Sequence, residues 1–291
     1  MSGAGSREFA PPPGPKPGEG PPYLLVLALV AALAACATPS ERFQRQADAL
    51  GFEADVTRGD GFQHAVFRSP GGAASLLHVY LEGDASPRMA GRSVPPDPTP
   101  HRPLMLELMA LDASPSILLG RPCQHGLSPG CDPALWTVAR YGEQVVDSLV
   151  AATQREQERS GAGSVVLIGH SGGGALAMLM AEQLPQTRAV VTLAGNLAPT
   201  PWAEHHGYTP LSRSLDPAAR PALDPAIIQV HLLAGRDERV PPALTRSAID
   251  RQTGALTRAY PDFDHGCCWA SVWPGVLADL ARLLAQEPRA E

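Results

Sequence analysis

The strongest constraint on the fold is a run of six residues, Gly169-His170-Ser171-Gly172-Gly173-Gly174, set directly at the end of the apolar stretch SVVLIG at 164–169. An apolar run of this length, bounded by turn signals, reads as a buried strand. The small-residue stretch 172–184 behind it reads as a helix. A serine at the tip of so sharp a strand-to-helix turn has strained backbone angles, and the flanking glycines let strand and helix approach without Cβ clashes. Its oxygen then projects above the carboxyl edge of a sheet, beside the partial positive charge of a helix N-terminus. G-x-S-x-G in that setting is a nucleophile elbow. The run has neither the G-K-[ST] ending of a phosphate loop nor the G-x-G-x-x-G spacing of a dinucleotide site.

A serine hydroxyl needs a base to take its proton, and elbows of this kind carry their partners in the chain order serine, acid, histidine. LLAGRDERVPP at 232–242 puts Asp237 just past a strand, and DFDHGCCW at 262–269 puts His265 after the last strand. Ser171, Asp237 and His265 are therefore the candidate catalytic residues, with His265 as base and Asp237 orienting it. Glu238, Asp262 and Asp264 are nearby carboxylates that could replace Asp237. His170 should point away from Ser171, and His231 sits inside an apolar strand, so both read as packing residues. A tetrahedral oxyanion needs two donors. One is the backbone N–H of Gly172. The other comes from the loop Leu81-Glu82-Gly83-Asp84, where we expect the N–H of Asp84.

The rest of the chain alternates strand and helix signals. Strands are expected at 62–68 and 75–81, joined by a Ser-Pro-Gly-Gly turn into an edge hairpin, and then at 116–120, 190–195, 227–235 and 256–261. Helices are expected at 101–112, 135–159, 241–251 and 270–285. Strands separated by helices of this length imply a mostly parallel sheet with helices on both faces. The Pro-rich segment 196–225 is long for a simple connection. Its Trp202, His206 and Tyr208 are candidates for lining a substrate pocket, or Trp202 anchors a surface excursion.

Tyr23 to Ala35 is a continuous apolar run of 13 residues that ends in Leu33-Ala34-Ala35-Cys36. A spanning helix needs roughly 20 residues, whereas the apolar part of a signal peptide needs only ~7–15. The ending resembles the bacterial lipobox, whose cysteine carries lipid. The expected organisation is a signal peptide at 1–35, lipid on Cys36, a tether at 36–61 and a folded domain at 62–291. The protein would then sit in the cell envelope, held to the membrane by its N-terminal lipid and facing the periplasm or exterior. Four cysteines remain, an even count that suggests bridges in an oxidising compartment. Cys123 with Cys131 is the favoured pair. A bridge between adjacent Cys267 and Cys268 would strain the peptide, so a cross-link from that loop to Cys123 or Cys131 is the competing arrangement. No C-x-x-C occurs, and His205-His206 lacks an i,i+4 partner, so neither a metal nor a cofactor is expected. A net charge of -6 argues against nucleic acid as the main partner.

YLEGD at 80–84, LGRPCQ at 119–124, CDPALWTVARYGEQVV at 131–146, GHSGGGALA at 169–177, AGNL at 194–197 and HGCCW at 265–269 resemble the α/β-hydrolase superfamily. Within it they look like a subgroup of exported bacterial hydrolases. The resemblance runs from about residue 62 to the end. It implies an α/β-hydrolase fold and a Ser-His-Asp hydrolase that cleaves an ester, thioester or amide of a small-molecule or acyl substrate through an acyl-enzyme. Esterase or lipase-like activity is favoured over peptidase activity. Many relatives carry His-Gly where this chain has Glu82-Gly83. The alternatives are a catalytically silent binding module and a structural envelope lipoprotein, and neither accounts for an intact elbow.

Overall fold

Side chains alternate between the two faces of a β-strand, and here the central strands are apolar on both. Leu77, Val79 and Leu81 pack to one side of the sheet with Val165 and Leu167, while Tyr80, Val166 and Ile168 pack to the other. Strands buried on both faces need a helical layer on each side. The computed structural model describes residues 37–71, 75–84, 93–126 and 130–286, and within them it has that architecture.

The strands are β1 (Glu53–Arg58), β2 (Gln63–Arg68), β3 (Leu76–Leu81), β4 (Ser116–Leu119), β5 (Ser164–His170), β6 (Thr187–Leu193), β7 (Ile228–Ala234) and β8 (Leu256–Tyr260). They form one sheet in the order β1-β2-β4-β3-β5-β6-β7-β8. From β4 to β8 every pairing is parallel, and β2 meets both β1 and β4 antiparallel. The helices are α1 (Pro39–Ala49), α2 (Leu104–Met109), α3 (Glu143–Ser160), α4 (Gly172–Ala181), α5 (Pro199–His205), α6 (Pro242–Ile249) and α7 (Trp269–Gln286). One core joins the sheet to α3, α4 and α6. The other joins it to α1, α2 and α7, with Phe43, Met105, Trp269 and Trp273 at its centre.

Three expectations need correction. The segment 36–61 is not a tether: it holds α1, which begins with a Thr38–Glu41 capping box, and β1. The compact unit accordingly starts at Thr38. The strands at 62–68 and 75–81 do not form a hairpin. β2 pairs with β1 instead, and β4 lies between β2 and β3, because β3 takes its place in the parallel run. The helix expected at 135–159 is two pieces, a 3-10 turn at Pro133–Trp136 and α3, broken before the Gly142 N-cap. The signal segment 1–35 and Cys36 lie outside the described residues. Among the described residues no helix is long and apolar enough to cross a membrane.

Candidate active site

Ser171 stands one residue past β5, at φ 54 and ψ -121, a conformation that costs a non-glycine residue roughly 1–3 kcal/mol. Backbone hydrogen bonds hold it there. Its N–H donates to Leu193 O at 3.0 Å, and its carbonyl accepts from Gly174 at 3.0 Å and Asn196 at 2.9 Å. The glycines behind it have steric reasons. A Cβ on Gly172 would run into the Asp84 carboxylate and the Tyr141 hydroxyl, and one on Gly174 would lie 2.9 Å from Gly195 Cα.

β7 and β8 deliver the other candidates to the same carboxyl edge of the sheet. His265 Nδ1 donates to Asp237 Oδ2 at 2.7 Å, and Asp237 is completely enclosed. Asp237 Oδ1 accepts the N–H groups of Arg239 and Val240, each at 2.8 Å. The rival carboxylates have other tasks. Asp264 accepts from Gly266 and Cys267 N–H and so shapes the histidine loop. Asp262 pairs with Arg236 at the exposed surface, and Glu238 is exposed.

His170 links the serine turn to the histidine loop. Its Nε2 donates to the His265 carbonyl at 2.8 Å, and the two rings lie 4.7 Å apart. Trp269 Nε1 donates to the same carbonyl at 3.2 Å. Burial first, and the neighbouring His265 second, push His170 down to about 3, so it stays neutral. Among the described residues no hydrogen bond joins Ser171 to His265; catalytic hydrogen bonds are often loose before substrate binds. His231 is a core residue that bonds Thr192 at 2.8 Å.

The loop after β3 runs beside the nucleophile, since a Cβ on Gly83 would lie 3.1 Å from Ser171 Cβ. The Asp84 side chain is held by Arg121 Nη1 at 2.7 Å, Arg140 Nη1 at 3.1 Å and the Tyr141 hydroxyl. Burial pushes its carboxyl up, but the two guanidinium groups and Tyr141 outweigh burial and hold it at about 2. Glu82 behaves oppositely. Burial raises it to about 8 against the N–H groups of Met105, Leu106 and Gly83, so it is mostly protonated at neutral pH. Sequence reading missed this ion cluster, whose arginines and tyrosine lie 37 to 57 residues from Asp84.

His206 and Tyr208 stack face to face and Trp202 meets both rings edge-on, with Tyr208 half exposed. Trp202 Nε1 and His206 Nε2 both donate to the Arg239 carbonyl, at 2.6 and 3.0 Å. The cluster therefore grips the loop that carries Asp237. Cys123 and Cys131 are joined, with Cα atoms 5.6 Å apart. The competing cross-link from the Cys267–Cys268 loop to Cys123 or Cys131 does not form: Cys267 and Cys268 are joined to each other, and Cys268 has φ 92.

No family model and no curated protein matches the sequence. Solved structures do match in shape. A membrane phospholipase A, described as a bacterial virulence factor, is similar at a TM-score of 0.56 and 14% identity, over 92% of this chain and 99% of that one. An esterase of Pyrococcus furiosus is similar at 0.57 and 13%, over 82% and 93%. A puromycin-hydrolysing peptidase of Mycobacterium tuberculosis is similar at 0.55 and 15%, over 82% of this chain and 40% of that one. The parallel sheet, its two helical layers and the β5–α4 turn are common to this architecture, and the chain has the α/β-hydrolase fold.

Proposed function

We propose that the protein is an exported serine hydrolase that cleaves an acyl substrate through Ser171, His265 and Asp237. The observation that carries this reading is the buried His265–Asp237 pair at 2.7 Å, fastened through His170 to the strained Ser171 turn. Asp237 accepts from Nδ1 and leaves Nε2 of the neutral ring as the acceptor. His265 Nε2 takes the Ser171 proton as Oγ attacks the carbonyl carbon. The Gly172 and Asp84 N–H groups receive the oxyanion, and Asp237 stabilises the imidazolium. The imidazolium then protonates the leaving group, and a water activated by the same ring releases the acyl group. Esters are favoured over amides, in keeping with the phospholipase and esterase that share the fold.

The same proposal places signal peptidase cleavage before Cys36 and lipid on that cysteine. It also keeps Cys123–Cys131 and Cys267–Cys268 oxidised in the envelope. Metabolic labelling with a tagged fatty acid should mark wild type and not Cys36→Ser; equal labelling of both refutes the anchor. A panel of short and long 4-nitrophenyl esters and aminoacyl anilides tests the chemistry. Turnover should vanish in folded Ser171→Ala and folded His265→Ala, and the double variant should lose little more, because the residues act as a unit.

A further inference from the structure

Three arginines of this chain can be compared through their side-on forks, the Nε and Nη2 pair. Arg68 uses its fork to hold Glu156, Nε to Oε2 and Nη2 to Oε1, both at 2.8 Å. Arg220 uses the same two atoms on Glu182, at 2.9 and 2.6 Å. Arg121 does not. Its Nη1 goes to Asp84, and its Nε and Nη2 are buried with no hydrogen-bond partner among the described residues. Only 4% of Arg121 is exposed. Gln124, in the same turn through its N–H to the Arg121 carbonyl at 3.2 Å, also buries both amide atoms without a partner among the described residues.

The charges do not cancel. Asp84 brings one negative charge, and Arg121 and Arg140 bring two positive ones. The Tyr141 ring, 5.7 Å from the Arg121 guanidinium carbon, eases the excess charge only in part, and a buried cation with unmade hydrogen bonds is costly. A fold that keeps one beside its nucleophile has a use for it. The link to the nucleophile is short, because the Asp84 carboxylate that Arg121 holds lies against Gly172, next to Ser171. A guanidinium fork is matched by a group that offers two oxygens in one plane edge.

We propose that Arg121 is a specificity residue that receives an acidic group of the substrate, a carboxylate or phosphate, on Nε and Nη2. Gln124 supplies neutral hydrogen bonds from the same turn. The proposal rests on the serine hydrolase reading and narrows it to acyl compounds with a second, anionic end.

The test uses matched 4-nitrophenyl esters: the half-esters of adipic and suberic acid, their ω-methyl esters as neutral partners, and phosphonate-ended esters of the same lengths. The ratio of kcat/KM for anionic over neutral ester should be about ten to a hundred in the wild-type protein, the range that charge-assisted hydrogen bonds supply. Comparison of the carboxylate and phosphonate arms tells which group is taken. The ratio should fall towards one in Arg121→Lys, which keeps charge but not the fork, and in Arg121→Gln. In both, Asp84 retains Arg140 and Tyr141, so its charge is not left alone. A wild-type ratio near one, or a preference that survives in either variant, overturns the proposal. Wild-type crystals soaked with monomethyl adipate give a reading that needs no variant: carboxylate oxygens on Nε and Nη2 support it, and a carboxylate seated elsewhere overturns it. The two readings fail separately. Neutral esters cleaved through Ser171 without preference leave the hydrolase and remove the subsite. Calorimetric binding of monomethyl adipate that is lost in Arg121→Lys, with no ester cleaved, leaves the subsite and removes the hydrolase.

Discussion

Asp237→Asn separates two accounts of what the acid does. In the structure Oδ1 is tied to two backbone N–H groups, of Arg239 and Val240. An asparagine keeps both bonds by leaving its carbonyl oxygen there. Its NH2 then faces His265 Nδ1, at the position where Oδ2 now accepts at 2.7 Å. Two donors cannot share that contact, so the ring gives up the Nδ1 proton and carries it on Nε2, where the serine proton must go. If only a charge-assisted hydrogen bond were lost, the cost would be about 1.5–3 kcal/mol, or roughly ten- to 150-fold in rate. A wrong tautomer costs about 10⁴-fold in triads of the same logic, or roughly 5.5 kcal/mol. The expected result is a loss of kcat near the larger figure, with Tm within a few degrees of wild type. The assay is 4-nitrophenyl butyrate hydrolysis, normalised by active-site titration and paired with thermal unfolding. A folded Asp237→Asn protein that keeps a tenth of wild-type turnover refutes the tautomer argument. So does a loss no larger than that of Asp262→Asn.

Gly172→Ala should cost about 1–3 kcal/mol of stability and most of the activity. Its Cβ meets Asp84, which two arginines hold in place, and the Tyr141 hydroxyl bonded to it; near-normal kinetics would contradict this crowding. Glu82 makes stability fall with pH. Its folded value of about 8 lies above the ordinary 4.5, so its contribution is fully present below about 4.5 and is lost as pH rises through 8. The loss is roughly 4–5 kcal/mol, and urea unfolding at several pH values should show a flatter profile for Glu82→Gln than for wild type. Trp202→Phe removes the bond to the Arg239 carbonyl. It should lower kcat several-fold with KM little changed, whereas a raised KM at constant kcat would make Trp202 a pocket wall.

The parts of this site that could be read from sequence are those that local pattern encodes. Ser171 and Asp237 follow the β5 and β7 runs, which are apolar because helices cover both faces; His265 follows β8, whose residues are mostly exposed, and was legible from the chain order serine, acid, histidine. β1 gave no such signal, since Thr57 is the single buried residue along it. It is an edge strand set by pairing with β2, and pairing across a sheet leaves little trace in either strand. The expected β2–β3 hairpin failed for a related reason, because a turn-like Ser-Pro-Gly-Gly does not say which strand will lie alongside. The Asp84–Arg121–Arg140–Tyr141 cluster lies in three of the segments that carry the family resemblance, but no local pattern says that these segments meet, because the contact is tertiary. The grip of Trp202 and His206 on the acid loop is another, spanning 37 and 33 residues.

The central claim is that Ser171 becomes covalently attached to the acyl group. A fluorophosphonate mimics that acyl-transfer step and stays on the nucleophile. Intact-mass analysis of the folded wild-type protein should show a single phosphonyl adduct, and peptide mapping should locate it on Ser171. Ser171→Ala should show none. An unmodified wild-type protein, an adduct on another residue, or ester hydrolysis at near wild-type rate in folded Ser171→Ala would contradict the account.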